Sequence, residues 1–250
     1  MMSFSLQFVL VLIGTFMIAL VLTPLVRLFS FKIDAVDYPN ARRINTKPMP
    51  SAGGLSIVIA FSIATLVFIP MLTSTTAPIK SYLSYTLPVV GAGWIIALTG
   101  LIDDVKELSA KKKMIGILLA ASLVWFLTDF RLNDFKIPFG GPLLHFEPWL
   151  SYLLTVIWIV SITNAVNLID GLDGLVSGVS IISLVTMGIV SYFFLPVPNL
   201  FLTMTIFVLV ASIAGFFPFN YHPAILYLGD TGALFIGFMI SVLSLQGLKN

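Results

Sequence analysis

LSYLLTVIWIVSITNAVNLIDGLDGLVSGVSIISLVTMGIVSYFFL, residues 150–195, holds two apolar runs, Leu150 to Thr163 and Leu175 to Leu195, divided by the polar stretch Asn164 to Gly174. An apolar run of roughly 20 residues crosses a bilayer as a helix, so the segment reads as two membrane spans that turn at one surface. The pattern repeats outward in both directions. Before it lie runs at about Phe4 to Phe29, Leu55 to Leu72, Thr86 to Ile102 and Met114 to Thr128, and after it Leu200 to Pro218 and Ala233 to Leu248. The fourth and fifth runs are short and draw on their flanks. Hydrophobic residues make up 58% of the chain and charged residues 10%, against ~25% charged in a soluble domain. With a mean hydropathy of +1.06, the chain reads as an all-α polytopic membrane protein of about eight transmembrane helices, residues 1–250 forming one domain without internal repeats.

Phe4 to Phe29 has no basic leader segment and is closed by Arg27 and Lys32, which makes it a retained span rather than a signal peptide. The absence of cysteine removes disulfides, thiolate catalysis and cysteine-based zinc sites. Loop cations set the orientation. Arg27, Lys32, Arg42, Arg43, Lys47, Lys106, Lys111, Lys112 and Lys113 follow the first and third spans, whereas Lys80, Arg131 and Lys136 fall on the other side. The N-terminus is therefore expected outside and the cation-rich side in the cytoplasm. On the outer side, Phe130 to Phe146 contains Gly140-Gly141-Pro142 between alternating residues, which suits either a small β-hairpin or a plain connector.

Acidic residues are scarce, and Asp103, Asp104, Asp170, Asp173 and Asp230 all stand at span ends on the cation-rich side. A carboxylate beside a bilayer is costly unless water, a cation or a metal compensates it, so the five are expected to build one composite site. Adjacent carboxylates such as Asp103-Asp104 repel each other, and a nearby divalent cation relieves the repulsion. An ordinary solvated turn is the competing reading of that pair. Lys111, Lys112 and Lys113 are expected as interface anchors, with attraction of an anionic headgroup as the alternative.

Asn164-Ala165-Val166-Asn167-Leu168-Ile169-Asp170-Gly171-Leu172-Asp173-Gly174 is the densest polar cluster. On a continuing helix Asn164, Asn167 and Gly171 share a face, with Asp170 at its edge. Phe219 to Gly232 ends in Gly229-Asp230-Thr231-Gly232, where flanking glycines expose a carboxylate and Thr can cap the following helix. In the first loop, Lys47-Pro48-Met49-Pro50-Ser51-Ala52-Gly53-Gly54 combines a cation with glycines that permit close backbone approach. Carboxylates, cations and amides on one membrane face suit an anionic, phosphate-bearing substrate and phosphoryl transfer.

In order and wording these motifs resemble the polyprenyl-phosphate N-acetylhexosamine-1-phosphate transferases across essentially the whole chain, NAVNLIDGLDGL and FNYHPAILYLGDTG most specifically. The resemblance implies transfer of N-acetylglucosamine 1-phosphate from UDP-N-acetylglucosamine to undecaprenyl phosphate at the cytoplasmic face of a bacterial plasma membrane. UMP is released and a glycopolymer such as teichoic acid is begun. It implies Mg²⁺, with Mn²⁺ as the substitute, and a UDP-sugar, undecaprenyl phosphate and the bilayer as partners, with a homodimer as an option and no nucleic acid. By motif position, Asp103 and Asp104 take the catalytic places, and Asp230 and Asn167 the metal. Asn164, Asn167, Asp170, Asp173, Asn220, Tyr227, Lys47 and Ser51 take the substrate.

Three positions depart from the family pattern: Asn45 stands in place of His, Ser51 in place of Arg, and Ala233 in place of Ser. Relatives also continue through further spans and a histidine-rich loop, so the chain is expected to be a C-terminally shortened form. Phospho-N-acetylmuramoyl-pentapeptide transfer is the alternative reaction, and an ion-coupled transporter the alternative of another class.

Overall fold

The computed structural model describes residues 4–39, 47–73, 79–137, 141–195 and 200–248. Arg42, Arg43, Asn45 and Gly140 lie outside the described residues, as does the side chain of Lys80. Helix α1 (Phe4–Lys32) leads to strands β1 (Val36–Asp37) and β2 (Met49–Pro50). There follow α2 (Gly54–Ile63), a π-helical turn (Ala64–Phe68) and α3 (Ile69–Thr73), which together make one rod. The order continues with α4 (Ile79–Lys106), α5 (Ala110–Leu127), β3 (Asp134–Lys136), β4 (Leu143–His145), α6 (Pro148–Leu168), α7 (Leu175–Phe193), α8 (Leu200–Asn220) and α9 (Gly229–Leu248).

Both strand pairs are antiparallel, β1 with β2 and β3 with β4. The second pair is the hairpin foreseen between Phe130 and Phe146, with Phe135 opposite Leu144 and Asp134 opposite His145. Among the described residues seven rods are long and apolar enough to cross a membrane, the chain being a multi-pass membrane protein. The remaining one, α5, opens with three lysines, leaving about 14 apolar residues or ~21 Å of helix against a ~30 Å hydrocarbon core. It still reaches from the end of α4 to the start of α6. Lys113 near its start meets Asp103 and Asp230, while Trp125 near its end donates to Ser151 in the first turn of α6.

Burial along α1 runs opposite to that of a soluble helix. Val11, Thr15, Ala19, Thr23, Val26 and Ser30 are buried, while Val21, Leu25 and Leu28 are exposed. Without a hydrophobic driving force between helices in lipid, small and hydroxylated residues make the contacts and large apolar ones face the tails. Gly215 of α8 shows the closeness this permits, since a Cβ there would come within 2.4 Å of the Phe16 carbonyl of α1. Interhelical hydrogen bonds add to the packing, Thr23 to Ser56 and Trp158 to Ser244 among them.

Helix α9 is the hub. It packs on α4, α6, α2 and α7, and 78% of its spanning window is buried. A helix that is apolar all round belongs in the interior, and Leu234, Phe235, Ile236, Phe238, Met239 and Val242 bury every face of it. Its first residues, Gly229 and Asp230, therefore become the focus on which the ends of α2, α4, α5 and α6 converge.

Candidate active site

A cavity of about 1360 Å³ opens at this end of the bundle. All five aspartates singled out in the sequence line it, with Asn167, Asn220, Tyr227, Lys47 and Ser51. Asn164 does not. It stands one turn earlier on α6, and its amide donates to the Val160 carbonyl.

The five aspartates divide into two kinds. Asp104 accepts from the backbone N–H groups of Asp230 and Thr231 at 2.8 and 3.1 Å and from the Thr231 hydroxyl at 2.5 Å. It caps α9 from across the bundle, satisfying amides that a helix start leaves without partners. Asp173 likewise holds backbone, accepting from His222 Nδ1 at 2.9 Å and Ala224 N at 3.0 Å, and so fixes the loop between α8 and α9. Asn220, foreseen as a substrate contact, has its amide engaged inside the fold, accepting from Ser177 and donating to the Leu226 carbonyl. Removing Asp104 is expected to loosen the site before it touches the chemistry. Asp104→Ala should lower stability by roughly 2 kcal/mol, from a lost cap and amides left buried without acceptors. Thermal unfolding in detergent measures it, and a turnover loss with unchanged stability would return Asp104 to the chemical role foreseen for it.

The other three aspartates, Asp103, Asp170 and Asp230, do not cap a helix or fix the 222–224 loop. Helix α4 ends at Lys106, and Glu107, with φ of 47°, turns the chain so that Leu108 N donates to Asp103 Oδ1 at 2.5 Å. The other oxygen of Asp103 lies 2.5 Å from Lys113 Nζ, and the same ammonium is 2.7 Å from Asp230 Oδ2. Asn167, on the last turn of α6, donates its amide to Asp230 Oδ1. Asp170 follows in the turn between α6 and α7. Its carboxyl opens to the cavity yet is walled by protein on most sides, and this enclosure, with the Asp230 charge second, pushes its pKa up to about 7.

Lys113 is the site residue that the sequence reading missed. Lys111 and Lys112 are exposed as anchors should be, but Lys113 turns inward. The sequence carried no signal for it, because α5 is apolar on every face after Lys113; burial alone marks Ile117, Ala120, Ala121 and Val124 as its inner stripe, and Lys113 stands four residues before Ile117 on that stripe.

Glycines bring these ends together. Gly53 N donates to the Tyr227 carbonyl at 3.0 Å and Gly54 N to Leu228 at 2.8 Å, while Tyr227 N returns a bond to Pro50 at 2.9 Å. The first loop thus lies against the segment entering α9. Ser51 is buried, with a hydroxyl that has no protein partner. Lys47 is exposed at the rim.

The donor set suits a hard divalent cation. Its atoms are carboxylate and amide oxygens, and the Lys113 ammonium already stands between Asp103 and Asp230 as a positive charge would. Among the described residues no three acidic or imidazole side chains form a metal cage. Mg²⁺ typically uses one or two carboxylates and completes its shell with water and substrate phosphates, so two converging carboxylates are enough.

A model of the family described as glycosyl transferase family 4 matches residues 86–248, from α4 through α9. The chain is 40% identical to the probable undecaprenyl-phosphate N-acetylglucosaminyl 1-phosphate transferase of Bacillus subtilis (strain 168), over 97% of this chain and 63% of that protein. It is 32% identical to the decaprenyl-phosphate N-acetylglucosaminephosphotransferase of Mycolicibacterium smegmatis, over 88% of this chain and 55% of that protein. It is 33% identical to the phospho-N-acetylmuramoyl-pentapeptide-transferase of Staphylococcus saprophyticus, over 95% of this chain and 74% of that protein. The chain thus spans less than two thirds of the first two relatives. Asp103, Asp104, Lys113, Asn167, Asp170, Asp173 and Asp230 all fall inside the matched segment, whereas Lys47 and Ser51 precede it.

Proposed function

The chain belongs to glycosyl transferase family 4, and from that premise we propose that it moves a sugar 1-phosphate from a UDP-sugar to a polyprenyl phosphate, releasing UMP. The observation that carries this reading is the convergence of Asp103, Asp170, Asp230 and Asn167 on one cavity, with Lys113 bridging two of the carboxylates. Phosphoryl transfer asks for positioning and charge neutralisation more than for covalent chemistry. Asp230, with Asn167 and Asp103 beside it, would hold Mg²⁺, which supplies neutralisation of the phosphate oxygens.

An oxygen of the lipid phosphate attacks the phosphorus bonded to the sugar. The bond from that phosphorus to the bridging oxygen breaks, and UMP leaves with the electron pair. Asp103 keeps the attacking phosphate deprotonated. Both its oxygens already accept hydrogen bonds, which favours orientation and proton holding over covalent attack. Asp104 and Asp173 act through the backbone, keeping Asp230 and the 222–224 loop in place. The acids stand at helix ends, whereas transporter sites lie near the midplane.

N-acetylglucosamine 1-phosphate is the preferred group and undecaprenyl phosphate the preferred acceptor, because similarity to the first relative (40%) exceeds that to the muramoyl-pentapeptide enzyme (33%). The product begins a cell-wall glycopolymer such as teichoic acid. The site faces the cytoplasm, since Lys32, Lys106, Lys111 and Lys112 gather at its end of the bundle and cations mark the inner side. UMP release from UDP-N-acetylglucosamine should require both undecaprenyl phosphate and Mg²⁺. Release from the muramoyl-pentapeptide nucleotide alone would replace the donor, and ion flux without UMP release from either would overturn the reading.

A further inference from the structure

Lys113 lies 2.5 Å from Asp103 Oδ2 and 2.7 Å from Asp230 Oδ2, so one ammonium occupies the space between two carboxylates. Asp103 is 7% exposed and Lys113 19%, and the Asp104 carboxylate lies just behind, capping α9. A group of acids this enclosed needs a counter-charge to keep its geometry, and Lys113 supplies it. A divalent cation held by Asp103 and Asp230 would compete with the ammonium for these carboxylates and repel it.

We propose that Lys113 is a built-in placeholder for the divalent cation. It holds Asp103 and Asp230 together while the site is empty and yields both when the cation enters. The inference rests on the functional reading above only in taking this acidic pair as the cation site. Lysine suits such an exchange because its point charge sits on a flexible four-carbon stem, with no rigid fork to lose. Lys113 is the fourth residue of α5, at the helix end nearest water, so the displaced ammonium can swing toward the cavity. Lys113 is thus a positioning residue for the two carboxylates.

The test uses the chain in nanodiscs without nucleotide or lipid phosphate, with Mn²⁺ as a paramagnetic probe of binding. Lys113→Met removes the competing charge and should bind Mn²⁺ roughly tenfold more tightly than the unaltered protein, as a lost ion-pair competitor predicts. In EDTA the same variant should unfold at a lower temperature, and Mn²⁺ should raise that temperature by more than it does in the unaltered protein. Lys113→Arg keeps the charge, so its unfolding temperature in EDTA should stay near the original and its Mn²⁺ binding should be no tighter.

Equal or weaker Mn²⁺ binding by Lys113→Met would overturn the proposal, as would absence of binding to both proteins. Should Lys113→Met fold only when Mn²⁺ is present, the proposal stands; if Mn²⁺ cannot rescue it, the proposal fails. Because no turnover is read, a chain that binds Mn²⁺ in this pattern yet releases no UMP would count against the proposed function alone.

Discussion

Asp230→Asn is expected to lower UMP release by roughly a thousandfold, the scale of losing a charge that stabilises a phosphoryl-transfer transition state, with little change in unfolding temperature. The two halves of this expectation have separate causes. The side chain of Asp230 faces Lys113 and Asn167, and Asn retains its shape but not its charge, so the ammonium loses a partner and the proposed divalent cation would lose a ligand. The backbone N–H of Asp230 is what Asp104 caps, and that bond survives the substitution. In any preparation that releases UMP, more than a tenth of the original rate in Asp230→Asn would remove this carboxylate from the chemistry. A collapse in stability would instead make it structural.

Gly229→Ala is expected to cost the most stability, about 3 kcal/mol or more, because it combines backbone strain with overpacking against main chain. Gly229 has φ of +71°, a region where a side chain is penalised. A Cβ there would also stand 1.6 Å from the Ser51 carbonyl oxygen and 2.8 Å from Asp104 Oδ2. Neither neighbour can retreat cheaply. Ser51 is held through its N–H to Ala35, and Asp104 is spent on capping α9. The expected result is a large fall in unfolding temperature with loss of the first loop's seat on the 227–229 segment. Gly91→Ala is the control, since a Cβ there meets nothing within 4 Å. Equal effects from the two substitutions would sink the account of why Gly229 is glycine.

Much of the architecture was readable because membrane spans are written locally. A run such as Leu200 to Pro218 must hydrogen-bond its own backbone in lipid, so length and apolarity suffice to find it. The hairpin at Asp134 to His145 was readable as one of two options for the same reason, since alternation and turn residues are local. The π-helical turn at Ala64–Phe68 had no such local mark. Helix α5 was found but not fully described: its three lysines looked equivalent in sequence, and only the buried stripe through Ile117 and Ala121 distinguishes Lys113 from the other two.

Within the site, residue type was legible and task was not. Asp103 and Asp104 are neighbours in the chain, yet on a helix neighbouring side chains point about 100° apart. One turns to Lys113 and the other to the start of α9. Asn220 lines the cavity, but its place is set by Ser177 and the Leu226 carbonyl, partners 43 and 6 residues away, which take one acceptor site and one N–H of its amide.

The sequence by itself therefore determined a membrane bundle, the residues available for chemistry and the family whose motifs they form, because periodicity, length and motif order are properties of short segments. Only the tertiary structure decided which acid caps α9, which one fixes the 222–224 loop, and that Lys113 stands between Asp103 and Asp230. Those assignments depend on which helix ends meet at Gly229 and Asp230, and contacts made across more than a hundred residues leave no periodic trace in the chain.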